Sequence, residues 1–178
     1  MPSTRHVVLV GLMASGKSTI GRALAVRMRR PFVDNDDSLE VRTGQTAREI
    51  ADAQGADALH ALEAETLLVA LEGQVAAVIA AAAAAPMEAR AAAAMRAHDV
   101  VYLRAAPDLL AGRLARSPHG DDHRPFVGAA DGADLKEVLV AQFAERDDRY
   151  RALATLVVDV GAETPDRTVE KISAALAR

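Results

Sequence analysis

Cysteine and tryptophan are absent, and only 3% of the 178 residues are aromatic. Without cysteine there can be no disulfide and no thiolate chemistry, although this alone does not fix the compartment. With so few rings, a 51% hydrophobic composition has to build its core from Ala, Val and Leu. Lysine is scarce, confined to Lys17, Lys136 and Lys171, and the formal charge is -4. Nucleic-acid affinity rests on a basic face that neutralises phosphates, so no nucleic-acid partner is expected. The apolar run Val75–Ala85 is about half the roughly 20 residues that span a bilayer as a helix, so no membrane partner is expected either. The first predicted strand begins near Arg5, which leaves no room for a signal peptide. The expectation is a soluble cytoplasmic monomer, residues 1–178 forming one domain.

Short apolar runs alternate with helical periodicity. Val7–Val10 reads as a strand buried on both faces, and Lys17–Arg29 as a helix with Ile20, Leu24 and Met28 on one side. Phe32–Val33, Val75–Ile79, Val100–Leu103 and Leu156–Val158 are the further strand candidates. Thr46-Ala47-Arg48-Glu49 fits a capping box that opens a helix, and Ala58–Leu71 continues helically. Helices are predicted over Pro86–His98, Pro107 to about Arg116, and Asp134–Leu153. A closing helix has Thr164 as N-cap and Pro165 at N1. Ala80–Ala85 could extend the third strand or begin the next helix, although Pro86 disfavours helix at Ala85. Ser117–Asp131, rich in Pro, Gly, Asp and His, has no period and reads as a mobile loop. This alternation implies an α/β fold with a five-stranded parallel sheet flanked by helices.

Gly11-Leu12-Met13-Ala14-Ser15-Gly16-Lys17-Ser18-Thr19 fits G-x-x-x-x-G-K-[ST] between a strand and a helix. A chance match is expected in roughly one chain in a hundred or fewer. The two glycines permit a backbone path that lets successive N–H groups, including those of Ala14, Ser15 and Gly16, face phosphates at a helix N-terminus. Lys17 supplies a charge for the β- and γ-phosphates, and Ser18 a hydroxyl for Mg²⁺. The pattern predicts an ATP and Mg²⁺ site at Gly11–Thr19.

The acceptor has to be sought elsewhere. Asp34-Asn35-Asp36 lies just beyond the second strand, at the sheet edge where ligands bind. Asp34 could hold Mg²⁺ directly or through water, and Asp36 could orient or deprotonate an acceptor hydroxyl. The alternative reading is an N-cap and acidic first turn for a helix near Ser38. No hydrophobic strand ends in the aspartate of a usual Walker B motif, which leaves Asp34 as the leading metal-side carboxylate.

Over almost its whole length the chain resembles the shikimate kinase family. The phosphate loop continuing to Ile20-Gly21, the Asp34-x-Asp36 pair with Glu40, and Arg124-Pro125 within the irregular loop carry the likeness. So does Arg146, four residues before Tyr150. The resemblance implies a P-loop kinase fold with helices over 34–62 that bind the acceptor and a short lid over 117–131. It implies that Lys17, Asp36 and Arg124 are catalytic, Arg124 reaching the ATP phosphates from the lid. By the same likeness Asp36 contacts the hydroxyls of a small-molecule acceptor, Asp34 assists Mg²⁺, and Arg146 pairs with a carboxylate. Without it, Arg146 in Glu145-Arg146-Asp147-Asp148-Arg149 reads as a surface residue in helical ion pairs. Arg116 is a weaker candidate for a second lid cation, and Val160–Pro165 is a candidate adenine loop by position.

Departures gather on the acceptor side. Where the family has Phe-Arg-x-x-Glu, this chain has Leu59-His60-Ala61-Leu62-Glu63, and a neutral imidazole cannot reproduce a bidentate clamp. His60 reads as a surface histidine or as a substrate ligand. Three family glycines are replaced by Ala81, Ala82 and Ala83, each adding a Cβ and resisting positive φ. Either the loop takes another path or the acceptor sits farther away. Three functions follow: a kinase of shikimate, a kinase of another small hydroxylated molecule, and a nucleotide-binding protein without catalysis.

Overall fold

The computed structural model describes residues 5–116, 134–161 and 163–177. Five parallel strands form one sheet: β1 (Val7–Val10), β2 (Phe32–Asp34), β3 (Val78–Ala80), β4 (Asp99–Arg104) and β5 (Leu156–Asp159). Their order is β2-β3-β1-β4-β5. Because β1 has β3 on one side and β4 on the other, the chain reverses its winding there, and a crevice opens beyond its carboxyl end. All four residues of β1 are fully buried, as a strand covered by helices on both faces must be.

The helices are α1 (Lys17–Met28), α2 (Asn35–Thr43), α3 (Ala47–Gln54), α4 (Ala56–Leu71), α5 (Ala89–Met95), α6 (Pro107–Ala115), α7 (Leu135–Leu153) and α8 (Pro165–Leu176). The core is aliphatic, with Tyr102 and Tyr150 its largest fully buried side chains. Their rings lie 4.9 Å apart, tying β4 to α7. Helices α2, α3 and α4 share a second small core of Leu39, Ile50 and Leu59, which holds these helices together. The capping box forms: Thr46 Oγ1 accepts from Glu49 N–H and the Glu49 carboxylate accepts from Thr46 N–H. Thr164 and Pro165 take the N-cap and N1 positions of α8.

Several boundaries differ from expectation. Helix α2 begins at Asn35 rather than near Ser38, because Asp34 itself is the cap and accepts from Asp36 N–H at 3.1 Å. Strand β3 begins at Val78, and Val75 is 67% exposed. The preceding turn is held by His6, whose Nδ1 accepts from Ala77 N–H (3.0 Å) while Nε2 lies 3.1 Å from Gly73 O, so that Nε2–H donates. The predicted Pro86–His98 helix is a 3₁₀ turn, Ala85–Met87, followed by α5, which Glu88 caps by accepting from Ala91 N–H. Strand β5 does end in an aspartate, Asp159. It stands on the sheet's outer edge 3.5 Å from Arg104 and does not line the crevice. No helix among the described residues is long and apolar enough to cross a membrane.

Candidate active site

The phosphate loop leaves β1 through Gly11 at φ 148, where a Cβ would come within 2.7 Å of Leu103 O and 2.9 Å of Ser15 Oγ. Glycine is required there by space as well as by φ. Gly16, the N-cap of α1, has φ 98. Ala14 also has positive φ, 59°, a conformation that costs an alanine about 1 kcal/mol. The loop therefore holds its shape against local preference, as backbone at ligand sites often does. Ser15 Oγ is buried inside the loop beside Gly11, with no hydrogen-bond partner among the described residues. Lys17 Nζ donates to Gly11 O at 2.9 Å and Leu12 O at 3.0 Å, lying across the cradle.

Ser18 Oγ donates to Asp34 Oδ2 at 2.7 Å, while Asp34 Oδ1 caps α2. One carboxylate thus caps the helix and meets the Ser18 hydroxyl at the same time. A hydroxyl and a carboxylate in contact beside a phosphate cradle are the oxygen donors Mg²⁺ takes from a protein when nucleotide and water complete its shell. No cluster of three or more His, Asp or Glu side chains suited to a metal occurs among the described residues. Such a cluster is unnecessary for Mg²⁺ held largely by phosphate.

A cavity of about 960 Å³ runs from this loop to the acceptor side. Gly16, Lys17, Ser18 and Thr19 line it together with Asp34 and Asp36. So do His60, Glu63, Ala81–Ala83 and Arg146. Arg146 is only 7% exposed, so the surface reading of its charged run is wrong. The reason lies in α7, which Asp147 fastens to the sheet by accepting from Tyr102 Oη (2.8 Å) and Arg104 Nε (2.9 Å). The neighbouring Arg146 then turns inward. Among the described residues its Nε has no hydrogen-bond partner; Glu145 Oε2, at 3.7 Å, is close enough for attraction and too far to accept. Tyr150 donates from its hydroxyl to Ala83 O at 2.6 Å, connecting α7 to the segment after β3.

His60 is half-buried in the cavity wall rather than on an outer helix face. Burial, with the positive charge of Arg146, pushes its pKa below the usual value, so it is neutral at pH 7. Glu63 is 8% exposed. Burial first, then the charge of Asp36, pushes it up to about 8, against the opposing pull of Arg146 and Lys17. Ala81–Ala83 adopt no positive φ, so the path between β3 and the 3₁₀ turn is one alanine allows. Arg124 and the rest of the predicted lid, 117–131, lie outside the described residues. Arg116 is exposed and does not line the cavity.

Two participants were not singled out from sequence. Arg113 donates to Ala14 O (3.1 Å) and Val160 O (3.3 Å), stapling the phosphate loop to the segment before α8. Nothing in its local sequence separates it from a solvated helix arginine. Val160, Glu163 and Pro165 line the same cavity, in keeping with a nucleotide-base end there. Glu63 was noted only as a residue the family shares, since burial of a glutamate is invisible to helical period.

A phosphate cradle, a seryl hydroxyl on a carboxylate, and a buried arginine across one cavity define a P-loop phosphotransferase acting on a small molecule. The pattern that defines the family described as shikimate kinase matches residues 13–177. The shikimate kinase of Pseudomonas syringae pv. syringae (strain B728a) is 37% identical over 174 residues, 97% of this chain and 96% of that protein. Shikimate kinase 2 of Enterobacter sp. (strain 638) is 34% identical over the same share of each chain. Among solved structures, shikimate kinase from Acinetobacter baumannii in complex with shikimate superposes with a TM-score of 0.88 at 26% identity. That match covers 98% of this chain and 94% of the other. The chain belongs to the shikimate kinase family, and it is an ATP-dependent kinase with the P-loop kinase fold.

Proposed function

We propose that the acceptor is shikimate and that the residues around the cavity divide its phosphorylation among them as follows. Gly11–Thr19 holds the ATP phosphates through backbone N–H groups, and Lys17 moves from the loop carbonyls onto the β- and γ-phosphates. Ser18 and Asp34 hold Mg²⁺, which when bound neutralises charge on the phosphates. Asp36, at the first turn of α2, orients the attacking hydroxyl and accepts its proton. Arg146 fixes the far end of the acceptor through its carboxylate, His60 and Ala81–Ala83 shape the wall around it, and Arg124 reaches the transferring group. Positioning and electrostatics account for most of the rate in such transfers, so a buried, prealigned guanidinium is what the reaction requires.

The observation that carries this reading is Arg146, a buried cation in the cavity of the phosphate loop whose Nε has no partner among the described residues. A carboxylate accepts from Nε and a terminal nitrogen together, which suits an acceptor bearing both carboxylate and hydroxyls. The A. baumannii relative, bound to shikimate, supports the same choice. A cytoplasmic monomer without nucleic-acid partners goes with this reading.

The test is ADP release from Mg²⁺-ATP with shikimate, quinate, gluconate and related polyols. Turnover with shikimate well above the ATPase background is expected. Turnover with another polyol and none with shikimate refutes the acceptor. Silence across the panel with ATP still bound refutes catalysis.

A further inference from the structure

Glu63 is a buried carboxyl on the acceptor side, 8% exposed, and its Oε2 has no hydrogen-bond partner among the described residues. The groups that act on it come from three other helices: Asp36 stands at the start of α2, Lys17 at the start of α1, and Arg146 and Tyr150 on α7. The fully buried Asn35 donates from Nδ2 to Glu63 O at 3.1 Å, which pins this turn of α4 against α2. An ionised carboxylate here would face a second carboxylate with one oxygen unsatisfied, a costly state for a buried charge. Arg146 does not relieve it by a hydrogen bond from Nε, which also has no partner among the described residues.

We propose that Glu63 enters the acceptor complex as a neutral carboxylic acid. It donates a hydrogen bond to the acceptor's carboxylate while Arg146 supplies the charge. Glu63 is then a residue that determines specificity for an anionic acceptor: ionised, it neutralises Arg146 and repels the anion; protonated, it does neither. This rests on the carboxylate-bearing acceptor proposed above. Burial and Asp36 already raise Glu63 to about 8, and a bound anion raises it further. The free protein therefore holds this proton at pH 7 and has largely lost it at pH 9, whereas the complex holds it at both. His60, lowered by burial, stays neutral from pH 7 to 9. Tyr150, raised by burial, stays protonated across the same range.

Shikimate is titrated calorimetrically into the full chain, without nucleotide or Mg²⁺, at pH 7 and pH 9 in buffers of different ionisation enthalpy. Little proton uptake is expected at pH 7 and most of one proton at pH 9. The Kd should weaken toward about tenfold per pH unit above 8. E63Q, neutral and of the same shape, should show no uptake at pH 9 and a Kd that is flat from pH 7 to 9. Binding without uptake at pH 9 in the wild type, or uptake that persists in E63Q, overturns the role of Glu63 alone. No binding of shikimate at either pH overturns the acceptor reading and this proposal with it.

Discussion

Tyr150→Phe removes one oxygen from the interior and keeps the ring. The Tyr150 ring is fully buried and tilted against Tyr102 at 4.9 Å, and phenylalanine preserves that packing. What is lost is the 2.6 Å hydrogen bond to Ala83 O, together with the hydroxyl's interaction with the Arg146 guanidinium. A neutral hydrogen bond contributes about 0.5–1.5 kcal/mol net, and leaving a buried acceptor unpaired costs up to about 3 kcal/mol. Ala83 is half-buried, so water can replace part of the loss, and about 1 kcal/mol is the reasoned figure. In a chain of this length that lowers Tm by roughly 2–4 °C. The functional effect follows from what the bond joins. It fastens the Ala81–Ala83 segment to the helix carrying Arg146, so both acceptor walls lose a brace while the phosphate loop loses nothing. Acceptor KM should rise about threefold to tenfold, equivalent to roughly 0.7–1.4 kcal/mol, with the KM for ATP unchanged. Urea denaturation and steady-state kinetics with each substrate varied supply the measurements. Wild-type stability together with wild-type acceptor KM would refute the reasoning, as would a rise in the KM for ATP instead.

Lys17→Ala should lower kcat by at least about a hundredfold, the scale for deleting one preorganised group that stabilises transition-state charge, and near-normal ADP release would contradict the phosphate-loop role. Arg146→Ala should raise acceptor KM by roughly 10- to 150-fold, the equivalent of one charge-assisted hydrogen bond worth about 1.5–3 kcal/mol, with little change in ATP affinity; an unchanged KM would remove Arg146 from the site. Arg29→Gly concerns stability alone. Arg29 closes α1 at φ 54, a geometry glycine accepts freely, so the variant should gain about 0.5–1 kcal/mol by thermal unfolding, and a loss of stability would show the side chain to be needed.

Much of the sheet was legible because buried strands write themselves as continuous apolar runs. Val7–Val10 came out at its observed bounds for that reason. The start of β3 did not, because Val75 and Val78 are equally apolar in sequence, and only the His6 ring holding Gly73 and Ala77 decides where pairing begins. On the donor side, glycine spacing reported a backbone path, and the structure has that path at Gly11 and Gly16. Arg146 was legible by resemblance only. Its neighbours are charged, and its burial is decided by Asp147 gripping Tyr102 and Arg104 across a distance no local pattern encodes. The same holds for Arg113, whose partners lie on two other segments.

Asp34 gives the two halves of the site a common hinge pin. Its Oδ2 accepts from Ser18 in the phosphate loop, and its Oδ1 holds the first turn of α2, whose Asp36 lines the same cavity. A perturbation at this carboxylate is therefore felt on both sides at once, and loss of activity on deleting it cannot be credited to the metal alone. Asparagine caps helices about as well as aspartate, so Asp34→Asn keeps α2 seated while changing what Ser18 and Mg²⁺ meet. Alanine at the same position abandons both duties, and the difference between the two variants measures how much of the acceptor's alignment is borrowed from the nucleotide site.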